Sequence, residues 1–241
     1  DALRDADTRR RQMFAEISHE LRTPTTAIRG EAEITLRGAD RPAGEYKAAL
    51  RRIVETSGQL GHVINDLLAM ARTDMEALSL VRRPVVLEPL VQEAVAQVAA
   101  MAASCGVAVT ASVAPGGDRL PLRVCGDAQR LRQILLILLD NATRYSPAGS
   151  TVQVSLSLVA DGNHDACCVA VVDEGIGISA DELPRVFDRH YRGHAARRQR
   201  PEGSGLGLPI AQALAHAHGG RIEIGSGGER GTVARLLLPV A

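Results

Sequence analysis

No stretch of about 20 apolar residues occurs in this 241-residue chain, so no segment is long and apolar enough to cross a bilayer as a helix. Nor does the chain open with the basic, apolar and small-residue succession of a signal peptide. No membrane contact by this segment is expected. Net charge is missing too: 28 Lys and Arg balance 28 Asp and Glu, which removes the bulk attraction that draws basic proteins to polyanions. No nucleic-acid partner is expected. Cysteine is scarce, and Cys105, Cys125, Cys167 and Cys168 include no C-x-x-C pair of metal-ligand spacing; reduced thiols in a cytoplasmic compartment are the expectation. Lys47 is the single lysine among the 28 basic residues, a bias of coding rather than of function. The chain begins at Asp1 without an initiator Met, and we expect it to be part of a longer protein.

What is present suits a globular protein with room for two domains: 45% apolar and 23% charged residues. Residues 1–76 carry two helical patterns separated by the breaker-rich Gly38-Ala39-Asp40-Arg41-Pro42-Ala43-Gly44. The second runs Leu50, Ile53, Ser57, Leu60, Ile64, Leu67, Ala71, an unbroken alternation of three and four that makes one apolar seam. Two such helices form an antiparallel hairpin, and because a lone hairpin encloses its seam poorly, pairing of two copies into a dimeric four-helix bundle is expected. Residues 77–84, with Arg82-Arg83-Pro84, read as a linker. From 85 to 241 helices and strands alternate. Helices are expected over 88–104, 127–144 with Asp127 as N-cap, and 208–218; strands over 106–113, 122–125, 152–158 and 167–172, then a hairpin of 221–224 with 232–238. That is an α/β domain with helices on a mixed sheet, and residues 188–205 are expected to be a long mobile loop.

Two groups of residues carry chemistry. In Ser18-His19-Glu20-Leu21-Arg22-Thr23-Pro24 a histidine adjoins a carboxylate within a helical pattern. Phe14, Ile17, Leu21 and Ile28 form the apolar stripe; His19 lies about 200° from Ile17 and so faces water. Thr23 projects from the same face one turn on, and Glu20 flanks the ring and can polarise an imidazole N–H. Pro24 cannot donate to the carbonyl of Glu20, so a bend is expected just after the histidine. Such a histidine suits phosphorylation.

The second group lies in separated segments whose convergence would make an ATP site. Asn141, near the end of an apolar helix, offers a carboxamide oxygen to Mg²⁺, and Arg144 follows within one turn to pair with phosphate oxygens. Asp173-Glu174-Gly175-Ile176-Gly177-Ile178 comes straight off a buried strand: Asp173 can accept from the adenine amino group while Gly175 and Gly177 let the chain pass close beneath the base. Gly203-Ser204-Gly205-Leu206-Gly207-Leu208 then opens a helix, offering unpaired N–H groups to phosphates; Pro209 is tolerated in its first turn. Neither glycine segment is a P-loop, since no Gly-Lys-Ser/Thr follows, and Gly203–Leu208 succeeds a basic loop rather than a strand, against a dinucleotide fold.

Taken in order, these segments resemble the cytoplasmic catalytic core of bacterial two-component sensor histidine kinases, over nearly the whole chain. His19–Pro24 matches that family's phospho-acceptor box, Asn141 to Tyr145 its asparagine box, Asp173–Ile178 and Gly203–Leu208 its two glycine boxes. Phe187-Asp188-Arg189-His190-Tyr191-Arg192 resembles the start of its ATP lid. The resemblance implies a Bergerat-type α/β sandwich after the helical hairpin, with ATP and Mg²⁺ as cofactors. It further implies that Tyr145, Arg189 and Arg192 join the nucleotide site and that His19 attacks the γ-phosphoryl group with Glu20 as base. The phosphoryl group would pass to an aspartate in the receiver domain of a response regulator, Thr23 orienting water in the reverse, phosphatase direction, and the segment would be the cytoplasmic part of a membrane-anchored sensor. Two positions depart from the family: Ile137, one turn before Asn141, stands where many members have Asn, and His190 where Phe is usual.

Two other readings use the same residues. A hydrolytic ATPase of the gyrase or chaperone type needs a Glu one turn before the Asn to activate water, which Ile137 cannot supply. A dimeric scaffold that binds nucleotide without chemistry needs no His19-Glu20 pair.

Overall fold

The computed structural model describes residues 24–37, 42–76, 80–113, 121–162, 164–200, 203–227 and 231–241. The chain divides into two compact units between Ala71 and Arg72. In the first, helix α1, described over 24–36, and helix α2, Ala43–Glu76, form the hairpin. Glu31 of α1 accepts from Arg52 Nη2 of α2 at 2.5 Å, and Ala49 of α2 is buried. Burial along the seam is partial: Ile53 and Leu60 are half-buried, whereas Leu50 is 59% exposed and Val54 70% exposed. Ile34 and Leu36 of α1 are likewise exposed. Among the described residues no helix is long and apolar enough to cross a membrane.

The second unit runs β1 (Arg83–Val86), α3 (Leu87–Ser104), β2 (Ala108–Val113), β3 (Arg123–Gly126), α4 (Ala128–Tyr145), β4 (Thr151–Asp161), β5 (His164–Val172), a 3₁₀ turn at Leu183–Arg185, α5 (His194–Gln199), α6 (Gly207–Ala217), β6 (Arg221–Ser226) and β7 (Thr232–Pro239). Strands β1 and β3 pair antiparallel as a small ribbon, so Arg83 and Pro84 join this unit's secondary structure rather than the linker. The main sheet has the order β2-β4-β5-β7-β6, parallel only between β2 and β4. It is the mixed sheet expected from the pattern.

Side-chain periodicity explains the layers. Val152, Val154 and Leu156 of β4 point inward while Gln153 and Ser155 face out. On β5, Cys167, Val169 and Val171 are covered on the same side as these, and Ala166 and Cys168 cluster with Leu237 of β7 on the opposite side. That is why this strand reads as a continuous apolar run. Helix α4 presents Leu131, Ile134, Leu135, Leu138 and Leu139 to the core and packs against both α3 and α6. Its start is capped as expected: Asp127 Oδ1 accepts from the N–H groups of Gln129 and Arg130 at 3.0 and 3.3 Å. His218, just past α6, donates from Nδ1 to the Leu214 carbonyl at 2.7 Å and accepts the Asp127 N–H at Nε2 at 3.1 Å, tying the end of α6 to the start of α4.

All four cysteines are free, Cys105 and Cys125 exposed, Cys167 and Cys168 buried. Burial pushes the Cys167 thiol up to about 11 and the Cys168 thiol upward as well. Iodoacetamide at neutral pH should therefore alkylate Cys105 and Cys125 of the native chain and reach the vicinal pair only after denaturation, a difference read by peptide mass spectrometry.

Candidate active site

Asp173 follows the end of β5 and is 8% exposed. Its Oδ1 accepts two backbone N–H groups, from Gly175 at 2.8 Å and from Thr232 at 3.0 Å, while its own N–H donates to the Thr232 carbonyl at 2.9 Å. No described residue donates to Oδ2. Desolvation raises the carboxyl's pKa above the ordinary value, and the two backbone donors pull it back only in part. The result is a fixed, partly dehydrated acceptor with one oxygen unused. Gly175 leaves the room this needs: a Cβ there would stand 2.7 Å from the Tyr145 carbonyl oxygen and 2.8 Å from Asp173 Oδ1. Tyr145 takes part through that carbonyl, which accepts the Ile176 N–H at 3.3 Å. Gly177 adopts a left-handed φ of 70°.

Helix α6 faces the end of α4. A Cβ on Gly207 would stand 3.3 Å from Ile137 Cγ2 and 4.0 Å from Asn141 Nδ2, so the asparagine and the second glycine segment converge as the sequence implied. Leu206 precedes α6 without a side-chain cap, and among the described residues the N–H groups of Gly205 and Gly207 donate to no partner. Such a helix end is suited to an anion. Ser204 Oγ accepts the Leu206 N–H at 3.3 Å, and Leu208 lies in the first turn of the helix. The half-buried Asn141 carboxamide makes no hydrogen bond with a described residue, which fits a ligand role. Among the described residues no group of three or more His, Cys, Asp or Glu could hold a metal, so a Mg²⁺ at Asn141 would draw its other ligands from phosphate and water.

Other expected members are placed differently from a phosphate clamp. Arg144 Nε lies 2.7 Å from the Asp140 carboxylate, an i,i+4 pair on α4, leaving its terminal nitrogens for phosphate. Arg192 donates to the carbonyls of Ala196, at 3.3 Å, and Arg200, and a Cβ on Gly203 would stand 2.8 Å from its guanidinium carbon. It holds the segment that carries α5 from within. Arg189 is exposed. The segment 188–205, expected as loop throughout, contains the short helix α5. Buried Glu182 explains it: its Oε1 accepts the His194 N–H at 2.8 Å at the helix start, a bond that also lowers the carboxyl's pKa. Gly231 and Thr232 escaped the sequence reading because each acts through its own backbone, and Glu182 because the partner of its carboxylate is a backbone N–H twelve residues on, which carries no residue-type signature. His19, Glu20 and Thr23 lie outside the described residues.

Comparison with known proteins decides the family. Residues 9–76 match the His Kinase A (phospho-acceptor) domain, and residues 126–241 match the histidine kinase-, DNA gyrase B-, and HSP90-like ATPase domain. The chain belongs to the sensor histidine kinases. It is 31% identical over 239 residues to the sensor protein SrrB of Staphylococcus aureus, an alignment that covers 97% of this chain and 38% of SrrB. The chain thus spans about two-fifths of that relative's length. Among solved structures it resembles full-length ShkA in complex with AMPPNP, at 28% identity and a TM-score of 0.65, over 96% of this chain and 46% of that one. The histidine kinase ThkA in complex with the response regulator TrrA shares the fold at 20% identity and a TM-score of 0.73, over 99% of this chain and 64% of ThkA.

Proposed function

We propose that this histidine kinase core transfers the γ-phosphoryl group of ATP to its own His19 and then to an aspartate of a response regulator's receiver domain. The observation that carries the nucleotide half is Asp173, whose Oδ1 is saturated by Gly175 and Thr232 while Oδ2 remains an unused acceptor, complementary to an exocyclic amino group. Gly175 and Gly177 allow the base to approach, and Tyr145 fixes the loop through its carbonyl. Gly203, Ser204, Gly205, Leu206, Gly207 and Leu208 surround the phosphates with backbone donors; Asn141 holds Mg²⁺, which neutralises phosphate charge when bound. Arg144 and Arg189 neutralise phosphate charge directly, and Arg192 shapes the lid. The AMPPNP bound by ShkA supports the nucleotide class, and the ThkA–TrrA complex supports the partner class. In this reading residues 1–76 are the dimerisation and phospho-acceptor domain, 77–82 the linker and 83–241, from strand β1 on, the ATP-binding domain, on the cytoplasmic side of a membrane-anchored sensor.

Glu20 takes the imidazole proton as a ring nitrogen of His19 attacks the γ-phosphorus in line and ADP leaves, and Thr23 orients water for the phosphatase direction. Incubation with γ-labelled ATP and Mg²⁺ tests the reading: label should enter the chain as an acid-labile, base-stable bond. Label that appears only as free phosphate would instead favour a hydrolytic ATPase.

The exposed Leu50 and Val54 support assembly through the hairpin as a homodimer. Replacing Leu60 and Leu67 with Glu should yield monomers while leaving ADP affinity of residues 84–241 within about twofold, since each charge placed in an apolar seam costs several kcal/mol. Light scattering showing a folded monomer for the parent chain would remove the dimer.

A further inference from the structure

His190 is the one residue other than glycine with a positive φ among the described residues, at 61°. A side chain bearing a Cβ adopts this conformation at a cost, and such positions persist where surrounding contacts over-determine them. Two contacts do so here. The His190 N–H donates to the Gly205 carbonyl at 3.1 Å, and ring Nδ1 stands 3.3 Å from the Ser204 carbonyl oxygen. A carbonyl can only accept, so the proton of this contact sits on Nδ1. The approach is close enough to demand glycine opposite: a Cβ on Gly205 would stand 2.8 Å from the His190 carbonyl carbon and 2.9 Å from its Cα.

In a planar trans peptide the C=O of one residue and the N–H of the next point in opposite directions. Holding the Ser204 carbonyl against the His190 ring therefore turns the Gly205 N–H away from it. Holding the Gly205 carbonyl against the His190 N–H turns the Leu206 N–H away as well, where Ser204 Oγ accepts it at 3.3 Å. Gly205 is left-handed, with φ of 67°, and Leu206 is right-handed, with φ −101° and ψ −19°; such a succession makes a concavity that takes anions, and in it the Gly205 N–H donates to no described residue. We infer that His190 is a positioning residue for the nucleotide phosphates: by engaging two successive carbonyls it aims the N–H groups at the start of α6 toward the anion. This rests on the nucleotide reading of the site and adds to it the residue that sets its donor geometry.

The experiment titrates the full chain with ADP and with adenosine. His190→Phe keeps an aromatic ring but no donor. His190→Gly keeps the backbone bond and relieves the left-handed conformation. His190→Asn tolerates that conformation and places an amide N–H where Nδ1–H was. His190→Phe and His190→Gly should weaken ADP about three- to tenfold, the worth of one hydrogen bond, with adenosine affinity unchanged, and His190→Asn should recover most of the loss. ADP affinity unchanged in Phe and Gly variants, or adenosine weakened in step with ADP, overturns the inference. A parent chain that binds neither ligand overturns the nucleotide reading itself, and with it this inference.

Discussion

His19→Ala abolishes entry of the γ-phosphoryl group into the chain while leaving ATP affinity unchanged. The proposed acceptor belongs to the unit Asp1–Ala71, whereas Asp173, Asn141 and the glycine segments all belong to the unit Arg72–Ala241, so in the proposed reaction removing the imidazole takes away the nucleophile and nothing that holds the nucleotide. Glu20→Gln keeps the shape beside the ring and loses the base; general-base removal slows phosphorylation by about 10²–10⁴. Thr23→Ala should leave phosphorylation nearly normal and impair dephosphorylation of the regulator, because in the proposed reaction its hydroxyl serves only to position water. Single-turnover labelling followed by a chase with phosphorylated regulator separates the three. Loss of labelling in Thr23→Ala as complete as in His19→Ala would make the threonine a support for the helix near Pro24.

How far such a site can be read from sequence depends on whether its residues act through side chains or backbone. Asp173, Asn141 and the glycines were legible because a carboxylate straight off an apolar strand and glycines at a helix entry each have a restricted set of uses. Thr232 is 59 residues from Asp173 and contributes an N–H that any residue but proline supplies. Only the pairing of β5 with β7 brings it there. Gly231, with φ of 89° and no room for a Cβ, which would stand 1.9 Å from the Asp173 carbonyl oxygen, was hidden for the same reason, since a glycine between two strands is unremarkable by itself. Arg144 shows the converse. The sequence suggested phosphate oxygens as its partners, whereas the structure pairs it with Asp140 one turn before it. The fold was more legible: alternation over 152–158 and the Asp127 cap placed β4 and α4 within a few residues, because one-sided burial and an unsatisfied helix start both leave periodic or chemical marks. Helix α5 left none, being held by Glu182, twelve residues before His194.

Asp173→Asn separates binding from folding. The amide oxygen can still accept from Gly175 and Thr232, but the position of Oδ2 then carries an NH₂ group, a donor facing the donor of an adenine amino group. Loss of a charge-assisted hydrogen bond in a desolvated site costs about 1.5–3 kcal/mol, so ATP affinity should fall about tenfold to a hundredfold by calorimetry. Guanine nucleotides, with a carbonyl at the equivalent position, should bind the parent poorly. Folding responds with the other sign. Burial raises the carboxyl's pKa in the folded state, so its contribution to stability is full below the unfolded pKa and is lost as pH rises through the folded value. At neutral pH the folded chain holds an ionised group it disfavours, and Asp173→Asn should unfold at the same or a higher urea midpoint than the parent. Acid acts on binding in turn. As pH falls toward the raised pKa, above the value of about 3.9 for a free aspartate, Oδ2 gains a proton and ceases to accept, so ATP affinity of the parent should decline there while Asp173→Asn shows no such step. An equal acid-dependent decline in both proteins would assign the titration to another group and leave Asp173 without its role at the base.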